Sequence, residues 1–166
     1  MATILKRNRL SFFLGFLFLI FSCDDKTDFN QYKSIGTEGW KTNEKVYFEF
    51  NVIDTLSQKN LFINIRNNNS YEFSNLYLIT ELNFPNGTVI IDTLQYEMAN
   101  ETGEFLGSGY TEIKDNKLFY KEEKTFPVTG QYMFTVRHAM RKNGEVNPIG
   151  HLKGIQDVGF SIEKLD

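Results

Sequence analysis

The stretch KVYFEFNVI, residues 45–53, alternates apolar and polar side chains with a period of two. Its apolar members would share one face: Val46, Phe48, Phe50 and Val52. Successive side chains of a β-strand point to opposite sides, so this pattern is typical of a strand with one buried face. The stretch therefore predicts a sheet that covers an apolar core.

The same kind of pattern recurs toward the carboxyl terminus. Further predicted strands cover residues 60–66, 76–82, 88–98, 118–120, 131–140 and 157–164. Turn-forming residues separate them, and Asn86-Gly87 would supply the positive φ angles of a tight hairpin turn. No stretch has a convincing apolar period of 3.6. About seven to eight strands predict an all-β fold, a single antiparallel β-sandwich of the immunoglobulin-like or jelly-roll-like kind over residues 39–166.

One short motif supports a sandwich. Gly130, Tyr132 and Phe134 have the spacing of a tyrosine corner, in which a tyrosine near the start of a strand bonds back to the chain a few residues upstream. Phe134 would then stand where antibody domains carry a cysteine.

The amino-terminal segment has the pattern of a secretory signal. Lys6, Arg7 and Arg9 precede an uncharged apolar run of 12 residues, too short for a helix that spans a bilayer, which needs about 20. Residues 20–23, Ile-Phe-Ser-Cys, look like a bacterial lipobox. We therefore predict a lipoprotein signal peptide over residues 1–22 and lipid attachment at Cys23, with a covalent diacylglycerol and an N-acyl chain such as palmitate. The alternative is ordinary cleavage that leaves a free thiol.

The charge and cysteine content restrict what the mature chain can do. Cleavage would remove three of the 18 basic residues and none of the 21 acidic ones, which leaves a net charge of −6. This balance argues against nucleic acid as a partner, because phosphate backbones attract clustered lysine and arginine. Cys23 is the only cysteine, so the fold must depend on a hydrophobic core. The polar residues 23–38 are predicted to form a flexible, lipid-anchored tether.

The sequence carries no recognisable catalytic or metal-binding set. His138 and His151 lack the paired spacing of a zinc site, and His138 is expected to be a partly buried core residue. The run Gly107-Ser108-Gly109 is neither a nucleophile elbow nor a phosphate loop. We therefore predict a protein that is not an enzyme, with no metal, no non-covalent cofactor and no small-molecule substrate.

Aromatic side chains suggest one alternative function. Four of them fall out of phase with the apolar face of their strands: Tyr47, Phe62, Tyr77 and Tyr96. They would form an exposed platform for sugar rings or for a protein, or they would pack beneath loops. A platform would suit a surface carbohydrate-binding lipoprotein of a glycan-uptake system.

The order of several motifs resembles a known family. A Pro-Asn-Gly hairpin is followed by Asp-Thr-Leu-x-Tyr, Gly-x-x-Leu-Gly-x-Gly, Gly-x-Tyr-x-Phe, Ala-Met-Arg and Gly-Ile-x-Asp-Val-Gly. This series is similar to that of the GldH family of gliding-motility lipoproteins of the Bacteroidetes. The segment 142–153 departs from it, since a shorter link is expected there.

The resemblance implies a non-enzymatic part of the gliding apparatus and the associated type IX secretion system. Such a protein would stabilise other envelope lipoproteins by contact, anchored in the outer membrane, with the periplasmic face favoured over the cell surface. Met140 and Arg141 are candidate contact residues, although Met140 would equally suit the core. Thr55 and Thr93 resemble Asp-Thr-aliphatic sites that this phylum O-glycosylates, or they are ordinary strand-end and turn residues.

Overall fold

The computed structural model describes residues 26–109 and 112–165. The predicted signal peptide and Cys23 lie outside these residues. Ten strands are present in the described part of the chain: β1 Thr27–Ser34, β2 Trp40–Lys41, β3 Val46–Val52, β4 Lys59–Asn67, β5 Asn75–Asn83, β6 Val89–Glu97, β7 Lys114–Lys124, β8 Gly130–His138, β9 His151–Leu152 and β10 Ile155–Lys164. Within the same residues, no helix is long and apolar enough to cross a membrane.

The strands form two four-stranded antiparallel sheets. The first sheet has the order β1-β10-β4-β7 and the second the order β3-β8-β5-β6, while β2 and β9 form a small separate pair. The inner faces of the two large sheets enclose the core, which confirms the predicted all-β sandwich. Strand β3 alternates buried and exposed residues from Val46 to Val52, as the period of two in the stretch KVYFEFNVI predicts.

Aromatic rings fill the space between the sheets. The rings of Phe134 on β8 and Phe160 on β10 stack with centroids 4.1 Å apart and join the second sheet to the first. Phe50 packs against Phe160 at 5.6 Å and against Tyr132 at 5.6 Å. Because dense aromatic packing of this kind contributes a large part of the free energy of folding, the sandwich needs no disulfide.

The predicted tyrosine corner is confirmed. Tyr132 is completely buried, and its hydroxyl donates a hydrogen bond of 2.8 Å to the carbonyl oxygen of Val128. That carbonyl belongs to the β7–β8 loop, so the bond fixes the chain where it turns into β8.

The prediction of a flexible tether over residues 23–38 is wrong for most of that segment. Thr27–Ser34 forms β1, which pairs with β10 along its whole length. Phe29 anchors the strand, because its ring packs on Phe50 at 5.6 Å and on Phe160 at 6.1 Å. The period of β1 is weak because it is an edge strand in which no side chain is fully buried.

Two other predictions need correction. The strand expected at residues 118–120 is β7, whose 11 residues are mostly charged because it lies at the edge of the first sheet. The hairpin at residues 84–88 has a positive φ only at Gly87, which is 84°. Asn86 contributes its side chain instead, since its Oδ1 accepts a hydrogen bond of 3.0 Å from the backbone nitrogen of Thr88.

Candidate interaction surface

The outer face of the second sheet carries exposed apolar side chains. Strand pairing places Tyr47, Thr135, Glu81 and Ile91 side by side on one line across β3, β8, β5 and β6. Met133 and Val89 lie on the neighbouring line. We call Tyr47, Val89, Ile91 and Met133 the outer patch.

The outer patch is open to solvent at both of its ends. Tyr47 is 52% exposed and Ile91 is 64% exposed, although a sheet face of this kind is usually polar when water covers it. Polar groups lie among them, and Lys45 Nζ forms a salt bridge of 2.6 Å with Glu81. Such a mixture of tyrosine, methionine and aliphatic side chains with polar groups is typical of protein–protein interfaces.

Contacts between strands hold the two ends of the outer patch in place. The Lys33 ammonium lies 3.5 Å from the centre of the Tyr47 ring, which connects β1 to β3. On the other side, Asp92 of β6 accepts a hydrogen bond of 3.0 Å from Tyr120 and pairs with Lys121 at 3.0 Å. The patch is therefore presented by a rigid sheet rather than by loops.

Tyr96 strengthens the same connection between β6 and β7. Its hydroxyl donates a hydrogen bond of 2.6 Å to the carbonyl oxygen of Phe119. Burial, together with the nearby Asp92 carboxylate, raises the pKa of Tyr96 to about 12, so the hydroxyl keeps its proton at any physiological pH.

Of the two alternatives for the four out-of-phase aromatic side chains, the shared exposed platform is wrong. Phe62 is 5% exposed and lies in the first sheet, packed against Phe119 at 4.5 Å. Tyr96 points to the inner face of β6, where its hydroxyl is already bonded. Tyr47 and Tyr77 belong to the second sheet, but Tyr77 is half-buried beside Gln95. The four rings therefore do not share a surface on which a sugar could stack.

Met140 and Arg141 do not form a joint contact point. Met140 is 1% exposed, and its Sδ accepts a hydrogen bond of 3.2 Å from the backbone nitrogen of Tyr77. The prediction of a partner contact is therefore wrong for Met140, because the chain turns inward after β8 and folds this side chain beneath β5. Arg141 is exposed, and its backbone forms an isolated antiparallel β-bridge with Pro148.

His138 is a buried structural residue, as its strand period predicts. Its Nε2 lies 3.0 Å from the carbonyl oxygen of Trp40, and its Nδ1 lies 3.4 Å from the backbone nitrogen of Met140. A backbone nitrogen can only donate, so Nδ1 accepts and Nε2 carries the hydrogen that is donated to Trp40. Burial lowers the pKa of His138 and keeps the ring neutral.

The two predicted glycosylation residues occupy different environments. Thr93 is exposed on the outer face of β6, beside Ile91 of the outer patch. Thr55 is half-buried in the β3–β4 loop. Both remain predicted O-glycosylation sites.

Open cavities lie at both ends of the described part of the sandwich. The first has a volume of about 420 Å³ and is lined by Phe29, Phe126 and Ile162, with Lys59 at its polar side. The second, of about 410 Å³, lies between Glu72, Lys142 and His151. Within residues 26–109 and 112–165, no three histidine, cysteine or acidic residues come together as potential metal ligands.

The pairing register explains why sequence reasoning missed most of the outer patch. The start of β6 is apolar on both faces, since Val89, Ile90 and Ile91 follow one another, so period alone assigns neither Val89 nor Ile91 to a face. The hairpin at residues 84–88 sets them opposite Asn83 and Glu81, which are outward-facing polar residues. The register of this hairpin could have identified both residues as outward-facing, because partners in an antiparallel pair share a face.

Fold and surface together define the class: an antiparallel β-sandwich that presents an exposed apolar patch on an outer sheet face. Residues 27–162 match the family described as GldH lipoprotein, and the chain belongs to this family.

Two similar proteins agree with this membership. The chain is 49% identical over 154 residues to a gliding motility lipoprotein GldH homolog of Christiangramia forsetii, with 93% of this chain and 94% of that protein covered. It is 44% identical over 148 residues to the gliding motility lipoprotein GldH of Flavobacterium johnsoniae, with 89% and 91% covered. A solved family GH115 4-O-methyl-α-glucuronidase resembles 87% of this chain over 18% of its own length, at 10% identity and a TM-score of 0.42. That similarity is too weak to support any statement about function.

Proposed function

We propose that this protein is a lipid-anchored, non-enzymatic component of the gliding-motility apparatus and the associated type IX secretion system. It stabilises other envelope lipoproteins by binding them. The observation that carries the proposal is the outer patch, in which Tyr47, Ile91, Val89 and Met133 are exposed on a rigid sheet. Family membership and the names of the similar proteins support the connection to gliding.

The anchor in this proposal is Cys23. The basic start, the short apolar run and the lipobox-like residues before it support lipid attachment there, and the family is one of lipoproteins. Two or three acyl chains would hold the domain durably, because one chain binds a bilayer only reversibly. We place the domain in the outer membrane on its periplasmic face. Protease treatment of intact cells tests this placement, since cleavage of the domain would instead locate it on the cell surface.

The contact role is tested with Ile91→Glu in a gliding species. A buried charge without a counterion would disfavour any interface that covers residue 91. We expect the variant to accumulate at the normal level while its cross-links to other envelope lipoproteins and colony spreading are both reduced. Val146→Glu is the matched control, because Val146 is 84% exposed but lies in the β8–β9 loop, away from the outer patch. Wild-type cross-linking and spreading in the Ile91→Glu strain would contradict the proposal.

A further inference from the structure

The β3–β4 loop presents two of the most exposed large apolar side chains in the described part of the protein. Ile53 is 80% exposed and Leu56 is 88% exposed, and both lie within the six residues that join β3 to β4. Exposed apolar side chains that occur singly are ordinary, but two at the tip of one short loop form a small apolar wedge. We call Ile53 and Leu56 the loop tip.

Hydrogen bonds within the loop fix the shape of the loop tip. The Oδ1 atom of Asp54 accepts hydrogen bonds from the backbone nitrogens of Leu56, at 3.0 Å, and Ser57, at 3.1 Å. These bonds hold the loop in a turn whose apolar side chains point outward. Little conformational entropy is therefore lost if the loop tip enters another phase.

The loop tip lies at the same end of the sandwich as the start of β1. The Lys59 ammonium lies between the two, hydrogen-bonded to Asp28 of β1 and 3.5 Å from Asp54 of the loop. Lys164 at the end of β10 is 3.7 Å from Asp28 as well. These ion pairs bring the loop to the point where the chain enters the fold.

That point is close to Cys23 along the chain. Only residues 24–26 separate Cys23 from Thr27, the first residue of β1. Four residue steps cover at most about 14 Å, whatever conformation they have. A lipid on Cys23 would therefore hold this end of the sandwich against the membrane surface, whereas nine-residue strands keep the opposite end about 30 Å away.

We propose that this end of the sandwich docks on the lipid bilayer and that Ile53 and Leu56 insert into its interfacial region. The inference rests on the proposed lipid attachment at Cys23. The partner is a lipid surface because the chain enters the fold next to the loop tip, and at most about 14 Å of chain separates the fold from its anchor. Docking fixes the orientation of the domain. The strands of the second sheet then run along the membrane normal, and the outer patch faces sideways, toward neighbouring envelope proteins.

The charges near the loop tip are compatible with an anionic surface. The carboxylates of Asp28 and Asp54 are paired with Lys59 and Lys164, so they repel headgroups less than free carboxylates would. Docking also requires an unmodified Thr55, because a sugar between Ile53 and Leu56 would keep the loop in water. The mass of the proteolytic peptide that contains Thr55 tests this requirement: an unmodified peptide is expected, whereas a sugar on Thr55 would confirm the predicted glycosylation and overturn the docking.

Depth measurement with a nitroxide tests the docking. The full lipidated protein carries Leu56→Cys or Ile53→Cys, labelled with the nitroxide and reconstituted into vesicles of phosphatidylethanolamine and phosphatidylglycerol. The acylated thiol of Cys23 does not react with the label. Val146→Cys is the matched control, since Val146 is equally exposed at the opposite end. All three positions lie on the surface, so the variants are expected to fold.

We expect the nitroxides at positions 53 and 56 to be more exposed than the nitroxide at position 146 to oxygen, which concentrates in the bilayer. They should also be less exposed than the nitroxide at position 146 to a water-soluble nickel chelate. Lipidated protein whose nitroxides at all three positions behave alike would overturn the docking and leave the anchor intact. Protein that takes up no labelled palmitate, with Cys23→Ala as the reference, would overturn the anchor and the docking with it.

Discussion

The hydroxyl of Tyr132 provides a direct measure of the tyrosine corner. Tyr132→Phe removes one oxygen and leaves the ring, which packs against Phe84 at 5.0 Å and Phe126 at 5.1 Å. The Val128 carbonyl then loses its 2.8 Å hydrogen bond in a partly buried position. We expect the free energy of unfolding to fall by about 1–2 kcal/mol, since a lost hydrogen bond costs about 1 kcal/mol and an unsatisfied buried acceptor somewhat more.

Urea denaturation followed by circular dichroism measures this change, and the slope with denaturant should stay the same because the exposed area is unchanged. The melting temperature should fall by about 3–8 °C for a domain of this size. Tyr47→Phe is the matched control, because its 52% exposed ring keeps its contact with Lys33 without the hydroxyl. Equal stabilities of Tyr132→Phe, the control and the wild type would refute the reasoning that the corner stabilises the turn into β8.

Three further predictions concern the same fold. Gly154→Ala should destabilise the protein by about 2–5 kcal/mol in urea, because φ is +85° and a Cβ would lie 2.1 Å from the backbone nitrogen of Tyr71. Gly144→Ala, at φ +80° in open space, should cost only about 1–2 kcal/mol, and equal losses would disprove the clash. Because the pKa of His138 is lowered in the fold, its contribution to stability is present above pH 6.5 and is lost as the pH falls and the unfolded chain takes up a proton. His138→Gln should therefore flatten the decline in stability from pH 7 to pH 5, and an unchanged slope would count against a neutral ring. Phe160→Ala should cost about 3–5 kcal/mol by denaturation, and a loss below 1 kcal/mol would show that the core collapses around the missing ring.

The strands that alternate clearly were predictable because both of their faces are defined. β3 and β5 each place buried and less buried residues in strict succession, so period alone identified them. β1 and β7 lie at the edges of the first sheet, where few side chains are fully buried and charges are tolerated. Local pattern underestimates such strands, because their pairing partner, rather than their own sequence, makes them strands.

The candidate surface was less predictable than the fold. Tyr47 stood out because it is the aromatic residue on the polar face of β3. Ile91 did not, because the start of β6 is apolar on both faces and only the register of the hairpin assigns Ile91 to the outer face. The burial of Met140 was similarly undetermined, since it depends on the turn that follows β8 and on a hydrogen bond from Tyr77, 63 residues away.

The sequence by itself determined the all-β class, the tyrosine corner, the buried histidine and the family. These depend on local period, on short spacings and on the order of motifs, all of which the chain carries along its length. Only the tertiary structure decided which apolar residues remain exposed and which loop lies beside the start of β1. Both depend on the pairing of strands that are distant in sequence: β1 lies beside β10, and Lys59 brings the β3–β4 loop to the start of β1. Period identifies a strand, but pairing decides what each of its faces meets.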